Sequence, residues 1–245
     1  MRLSMEMTSL SGFQRGLVLG ALVVSYLSAQ GLQGVVVGPD GLGLAGARVI
    51  ASGVSFRGWA ETDARGVFQV ERAGRFISVR HKGFQPVLKR VAELSSPVLI
   101  RLEKAGTALR VLPSCGTDAA VIGERLRVRA PGGRYEGPMN GEHDTHWYVR
   151  TGKGELHVAS GYALHAGLPP EHWLVESERI ETRGWERGGS VGVDLAGELP
   201  DGRRWRWIGA LLMDQVSYYG ASPEVAIFFD QVIKTLCASS VLAGN

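Results

Sequence analysis

Few of the groups that advertise chemistry are present in this chain. Cysteine occurs only twice in 245 residues, at Cys115 and Cys237, too few for a disulfide-dense scaffold or a four-cysteine zinc site. The formal net charge is only +3, so no single-sign field gathers a polyanion. The apolar run at residues 16–27, GLVLGALVVSYL, falls short of the ~20 residues that span a bilayer, which predicts no stable membrane anchor. No GxSxG is found, so no nucleophile elbow is expected. No zinc-ligand set with a recognised spacing appears, and no metal or cofactor is expected. What the chain does have is glycine, 34 residues of it, about twice ordinary usage. Without a fixed period, that glycine predicts many turns and hence many short strands.

Residues 1–29 read as a secretory signal. Arg2 and Arg15 precede the apolar run, and Ser28-Ala29 supplies small residues for cleavage after Ala29; an uncleaved anchor or a core helix is the alternative. Export to the periplasm or outside the cell sets aside ATP, NAD and nucleic acid as partners. It also makes a disulfide between Cys115 and Cys237 the expected pairing, closing a loop that would hold residues 116–236. The Arg-rich, Lys-poor composition points to a bacterial source.

Residues 31–104 alternate apolar and polar with period two, broken every ten residues or so by turns. Gly38-Pro39-Asp40-Gly41 and Thr62-Asp63-Ala64-Arg65-Gly66 are turns with a mechanism: proline presets φ, aspartate bonds its own backbone, glycine accepts φ > 0. Six or seven strands at this spacing predict an antiparallel sandwich. The ordered motifs Gly34-x-Val36, Pro39-x-Gly41, Leu44-x-Gly46-Ala47-x-Val49, Thr62-Asp63-x-x-Gly66-x-Phe68, Gly74-x-Phe76-x-x-Val79, Gly83-Phe84 and Ile100-x-Leu102 resemble the carboxypeptidase regulatory-like domain. The resemblance implies a transthyretin-like (prealbumin-like) β-sandwich serving as an accessory module on an exported protein, with no peptidase activity. Residues 41–46 also fit GxGxxG, but they lead into the β-branched alternating segment Ala47–Ala51 rather than a helix, so they are expected to connect strands and not to hold a dinucleotide.

Residues 106–245 carry no recognisable family pattern. Leu109–Leu112, Leu126–Arg129, Trp147–Arg150, Glu155–Ala159, Ser177–Arg183, Ser190–Leu195 and Trp205–Leu212 read as strands, with a hairpin at Thr151–Gly154 and a loop over 131–141. Ser222-Pro223-Glu224 starts a helix. Its stripe of Val225, Phe228, Phe229, Val232, Ile233 and Leu236 faces a core, Asp230, Gln231 and Lys234 face water, and Cys237 closes its last turn. The expected fold is β-rich: the sandwich, then an α+β domain with a C-terminal helix packed on a sheet.

Candidate chemistry is sparse. Glu142-His143-Asp144-Thr145-His146 is the densest metal-capable cluster, yet it reads as loop or extended chain, where His143 and His146 point apart; His157, His165 and His172 join only if the fold brings them. Ser160-Gly161 with His165 lacks a strand-to-helix turn. Glu176 and Glu178 read as one solvated strand face. In Arg203-Arg204-Trp205-Arg206-Trp207, alternation sends Trp205 and Trp207 one way and Arg204 and Arg206 the other. They could form a sugar platform or an anionic patch. Alternatively, the tryptophans pack under the C-terminal helix while the arginines face water. The expected role is non-enzymatic binding or scaffolding in the cell envelope, toward an envelope protein or a glycan. A carbohydrate-binding protein, or a small metal-dependent or serine hydrolase in residues 106–245, are the alternatives.

Overall fold

The computed structural model describes residues 31–52, 59–71, 74–95, 97–106, 109–116, 121–142, 144–161, 167–187, 190–209 and 214–239. The segment read as an export signal, residues 1–29, lies outside the described residues. The chain is β-rich, with several sheets and a C-terminal helix.

Seven strands come first: β1 (Leu32–Val37), β2 (Arg48–Ala51), β3 (Trp59–Glu61), β4 (Val67–Val70), β5 (Phe76–Arg80), β6 (Val87–Arg90) and β7 (Val98–Arg101). They form a three-stranded sheet, β4-β1-β7, and a four-stranded sheet, β3-β2-β5-β6. All pairs are antiparallel except β1 with β7. Inward residues of both sheets, among them Val36, Val49, Phe68, Ile77, Val79 and Ile100, make one buried cluster.

The turn motifs hold this arrangement together. Thr62 Oγ1 donates to the Leu44 carbonyl at 2.5 Å and accepts from the Ala47 amide at 2.8 Å, so the Thr-Asp turn staples the Leu44–Ala47 connection. Asp63 Oδ1 accepts from the amides of Arg65 and Val67, both at 2.8 Å. Gly66 sits at φ +79°, and a Cβ there would collide with the Val36 carbonyl, so position 66 tolerates only glycine. No helix follows the GxGxxG match: Gly43 bridges to Val37 and β2 comes next.

The second part contains β8 (Arg110–Val111), β9 (Val121–Ile122), β10 (Leu126–Arg129), β11 (Glu136–Asn140), β12 (Asp144–Thr151), β13 (Gly154–Gly161), α1 (Glu171–Glu176), β14 (Arg179–Arg187), β15 (Ser190–Glu198), β16 (Arg204–Gly209), β17 (Asp214–Ala221), α2 (Pro223–Lys234) and β18 (Cys237–Ala238). Eight strands form one sheet in the order β11-β12-β13-β17-β16-β15-β14-β8, and β18-β10-β9 form a small one. Glu136–Asn140 is therefore a strand rather than the expected loop, paired to β12 across an irregular register.

α2 crosses one face of the large sheet. Val225, Phe229, Val232 and Ile233 are buried against Trp147, Val149, Leu156, Val158, Ile208 and Val216. Three expectations for this helix are corrected. The Ser222 hydroxyl donates to Glu224 at 2.8 Å and caps no amide. Asp230, still part exposed, turns toward the sheet rather than only to water, because an arginine on β16 meets it there. Cys237 lies beyond the helix, in β18, because the chain leaves helical geometry after Lys234. The disulfide Cys115–Cys237 is formed, with Cα atoms 5.1 Å apart. It ties β18 to the segment after β8, where Cys115 N donates to the Ala238 carbonyl at 3.1 Å.

The other face of the sheet carries a third cluster. Val193, Leu195, Trp205 and Trp207 pack with Leu174 of α1 and with Ile50 and Phe76 from the N-terminal strands. The backbone amide of Arg75 donates to Glu171 at 2.9 Å. Fully buried Arg80 donates to the Gly167 carbonyl and to Ser78 Oγ. At Gly184 a Cβ would strike Leu109 and Pro86. The boundary expected near residue 105 is thus bridged by a continuous apolar contact. No helix among the described residues is long and apolar enough to cross a membrane.

Candidate functional site

β16 decides the fate of the Arg-Trp segment. Trp205 and Trp207 point away from α2 and are 0% and 2% exposed. The Nε1 of Trp205 donates to Ser177 Oγ at 2.7 Å and that of Trp207 to Gln215 Oε1 at 3.0 Å. Neither offers an open ring face to a sugar. They pack on the N-terminal sheet, not under the helix, because alternation gives the α2 side of β16 to residues 204, 206 and 208. On that side Arg206 makes a fork to Asp194, at 2.8 and 2.6 Å, and reaches Asp230 of α2 at 2.8 Å. Burial alone would depress its pKa, but these bonds outweigh burial and raise it. Tyr218 Oη donates to the same Asp230 at 3.2 Å; burial, then the Asp230 charge, raise the phenol's pKa. Arg206 therefore joins helix to sheet and is not water-facing as expected. Only Arg204 of the four stands exposed, so the quartet does not converge on a ligand.

What converges is different. α2 leaves part of the sheet uncovered beside β14 and β8. The gap is a cleft of about 550 Å³ with an apolar floor and side that include Trp185, Ile208, Leu112 and Leu236. Ile227 of α2, 55% exposed, stands at its edge. Arg110, Arg183, Arg206 and Lys234 supply its cationic groups, and Asp194 and Asp230, both bonded to Arg206, line it as well. A shallower recess of about 290 Å³, holding Arg179, Glu181 and Arg204, continues from it through Arg183 and Arg206.

Among the described residues, two polar groups at the cleft lack a protein partner of the right kind. Arg183 is paired with Glu181 at 2.7 Å, but Arg110 donates to a neutral group, the Lys234 carbonyl, at 3.0 Å. Burial, and then repulsion from Arg206, pull the Arg110 pKa down, with Asp194 opposing; an anion beside it would relieve both effects. Trp185, 2% exposed, has an Nε1 without a hydrogen-bond partner. A buried donor left so costs about 1–3 kcal/mol; this atom is closed off from solvent, so the cleft offers the indole ring and not its N–H.

The acidic-histidine segment is also repositioned. β12 begins at Asp144, earlier than expected, so Asp144 and His146 share a face at i and i+2. Asp144 Oδ1 lies 2.9 Å from His146 Nε2, and His146 Nδ1 lies 2.8 Å from His157 Nε2 on β13. The Tyr148 ring stacks on His157 with centroids 4.8 Å apart, and the Arg150 guanidinium lies 5.2 Å from the Tyr148 centroid. Burial, then His146, pull the His157 pKa down to about 4, with Asp144 opposing. His143 and His165 lie outside the described residues, and His172 packs edge-on to Trp173 and Tyr219. Among the described residues no group of three or more His, Cys, Asp or Glu is placed to hold a metal.

Ser160 lies within β13, bonded to Asp214 and, at 3.1 Å, to Glu124; its setting is a strand, not an elbow. Glu176 ends α1 and accepts from Tyr219 Oη at 2.6 Å, so it shares no strand with Glu178. Arg110, Trp185 and Ile227 were not singled out from sequence, and Lys234 only as a water-facing helix residue. One signal was available: Ile227 is an apolar residue off the buried stripe of an amphipathic helix. No family model, no curated protein and no solved structure matches this chain.

Proposed function

We propose that this is an exported, non-enzymatic binding protein of the bacterial cell envelope, and that the cleft beside α2 takes a small organic anion with an apolar body. Residues 31–104 serve as a carboxypeptidase regulatory-like, transthyretin-like sandwich on which the larger sheet is mounted. The contacts among their motif residues, Thr62 to Leu44 and Ala47 and Gly66 against Val36, support that reading, since the spaced residues of the pattern touch one another. The disulfide suits an oxidising compartment.

One observation carries the ligand reading. An apolar cleft of a volume that small ligands fill is edged by a part-buried arginine that donates to a neutral carbonyl. A carboxylate, phosphate or sulfonate meets Arg110 and Lys234, and the apolar body covers Trp185, Ile208 and Ile227.

Anilinonaphthalene sulfonate, whose fluorescence rises in apolar sites, is the probe. It binds the folded protein at one equivalent and is displaced by decanoate but not by decanol. Arg110→Gln weakens it by about tenfold to a hundredfold, the worth of a charge-assisted hydrogen bond, and Ile227→Asp abolishes it, both with unchanged circular dichroism. Non-saturating binding, or binding indifferent to both substitutions, overturns the reading.

A further inference from the structure

The corner of the cleft where Arg110 and Lys234 meet is built by two short segments far apart in the chain. One is β8 with the residues after it, as far as Cys115. The other runs from the end of α2 into β18. β8 stands at the end of the large sheet and is two residues long, pairing Arg110 with Trp185 and Val111 with Glu186. Leu112 N adds a bond to the Glu186 carbonyl at 3.3 Å, long for a backbone hydrogen bond. Beyond it the segment is joined to β18. Ala238 N donates to the Pro113 carbonyl at 3.0 Å, Cys115 N donates to the Ala238 carbonyl at 3.1 Å, and the disulfide completes the junction. β18 itself pairs with β10 over only two residues. Elements with so few backbone bonds lie at the low end of local stability, so the covalent tie carries much of the hold.

The residues next to this tie are those that line the cleft. Leu112 lies three positions before Cys115 and Leu236 directly precedes Cys237; both are buried and both line the apolar side. Arg110 lies two positions before Leu112. Its guanidinium reaches the Lys234 carbonyl, at the end of α2, because the two segments run side by side. The cross-link holds them there with Cα atoms 5.1 Å apart. Cys115 is half-buried, which gives a small thiol access to the bond. α2 does not depend on the tie in the same way, since Phe229, Val232 and Ile233 anchor it to the sheet.

We propose that the Cys115–Cys237 bond is a redox gate on the cleft: oxidation assembles the Arg110–Lys234 corner, and reduction by a dithiol releases β8 and that corner while α2 stays on the sheet. The gate rests on the reading of the cleft as an anion site. In the reducing direction a thiolate of the dithiol attacks one sulfur, the S–S bond breaks, and the other sulfur leaves as a thiolate. The second thiol of the reductant then displaces the first cysteine from the mixed disulfide. Two electrons and two protons pass to the protein, which ends with two thiols, and the reductant ends as its own disulfide. In an exported chain the consequence is that the ligand site is completed only in an oxidising compartment. By linkage, a ligand that prefers the oxidised form stabilises that form by the same factor.

Anilinonaphthalene sulfonate titrated into the oxidised protein and into the same protein reduced with dithiothreitol tests this, with hydrogen exchange followed in both forms. Reduction leaves circular dichroism unchanged and weakens the probe by about tenfold or more. It speeds exchange of the Leu112 and Cys115 amides and leaves those of Phe229 and Ile233 slow. Reoxidation restores both properties, and the Cys115→Ser/Cys237→Ser pair reproduces the reduced form. Decanoate raises the oxidised fraction at a fixed ratio of reduced to oxidised dithiothreitol. Saturable binding that is equal in the two redox states overturns the gate and leaves the cleft reading standing. No saturable binding to the oxidised protein overturns the cleft reading and the gate with it. A reduced protein that loses its secondary structure overturns the gate alone, the bond then being a staple for the whole sheet.

Discussion

Ser160 shows how much a single hydroxyl reveals. It has one proton to give, yet its oxygen lies within hydrogen-bonding reach of both Asp214 and Glu124. The second contact is favourable only when a carboxyl carries a proton. Asp214 is the buried one of the two, 4% exposed, and burial raises its pKa despite the Ser160 bond and Arg125 at 3.3 Å; the Glu124 charge adds to the rise. A carboxyl whose folded pKa lies above its unfolded value contributes stability that is present below the unfolded value and is lost as pH rises through the folded one. Asp214→Asn removes that loss. The difference in unfolding temperature between Asp214→Asn and the unaltered protein should therefore become more positive as pH is raised from 4 to 7. A difference that is flat with pH, or that falls, contradicts the assignment. Sequence could name Ser160 but not its neighbours, because Glu124, Asp214 and Arg125 come from two distant segments.

At the level of elements, alternation on β16 was legible and its orientation was not. Period two separates Trp205 and Trp207 from Arg204 and Arg206 in any strand. Which pair meets α2 depends on whether a second apolar surface waits on the other side. Here it does, in Ile50 and Phe76, so the indoles go there, and Asp194 and Asp230 claim Arg206. α2 itself was readable from its stripe, whereas β11 was hidden by Gly137 and Pro138, and β17 by the polar start of DQVSYYGA. The disulfide joins elements rather than residues: β18 is two residues long and has little pairing of its own. Cross-linking across a sequence separation of 122 restricts the unfolded chain by roughly 4–5 kcal/mol in the chain-entropy model. Reduction, or the Cys115→Ser/Cys237→Ser pair, should lower the urea midpoint by that amount divided by the slope of the unaltered transition. An unmoved midpoint shows that the loop was already constrained by other contacts.

Over the whole molecule, the contact between the N-terminal strands and the large sheet governs behaviour. Phe76, Trp205 and Trp207 are each at most 2% exposed within the cluster that crosses the junction, and burying side chains of this size contributes roughly 1.5–3 kcal/mol each. Two bodies sharing such a surface melt together. Calorimetry of the oxidised protein should give one transition whose calorimetric and van't Hoff enthalpies agree; two resolved transitions would show that the parts are energetically independent. What the sequence by itself determined were features set by neighbours along the chain: turns where Pro, Asp and Gly coincide, strands of period two, the amphipathic helix, and the choice of partner for the only two cysteines. Tertiary structure alone decided which face of β16 is buried, that Asp144, His146 and His157 form a line, and that Arg110, Trp185 and Ile227 surround one cleft. Those groupings join residues tens of positions apart, and local periodicity carries no information about which sheet face meets which partner.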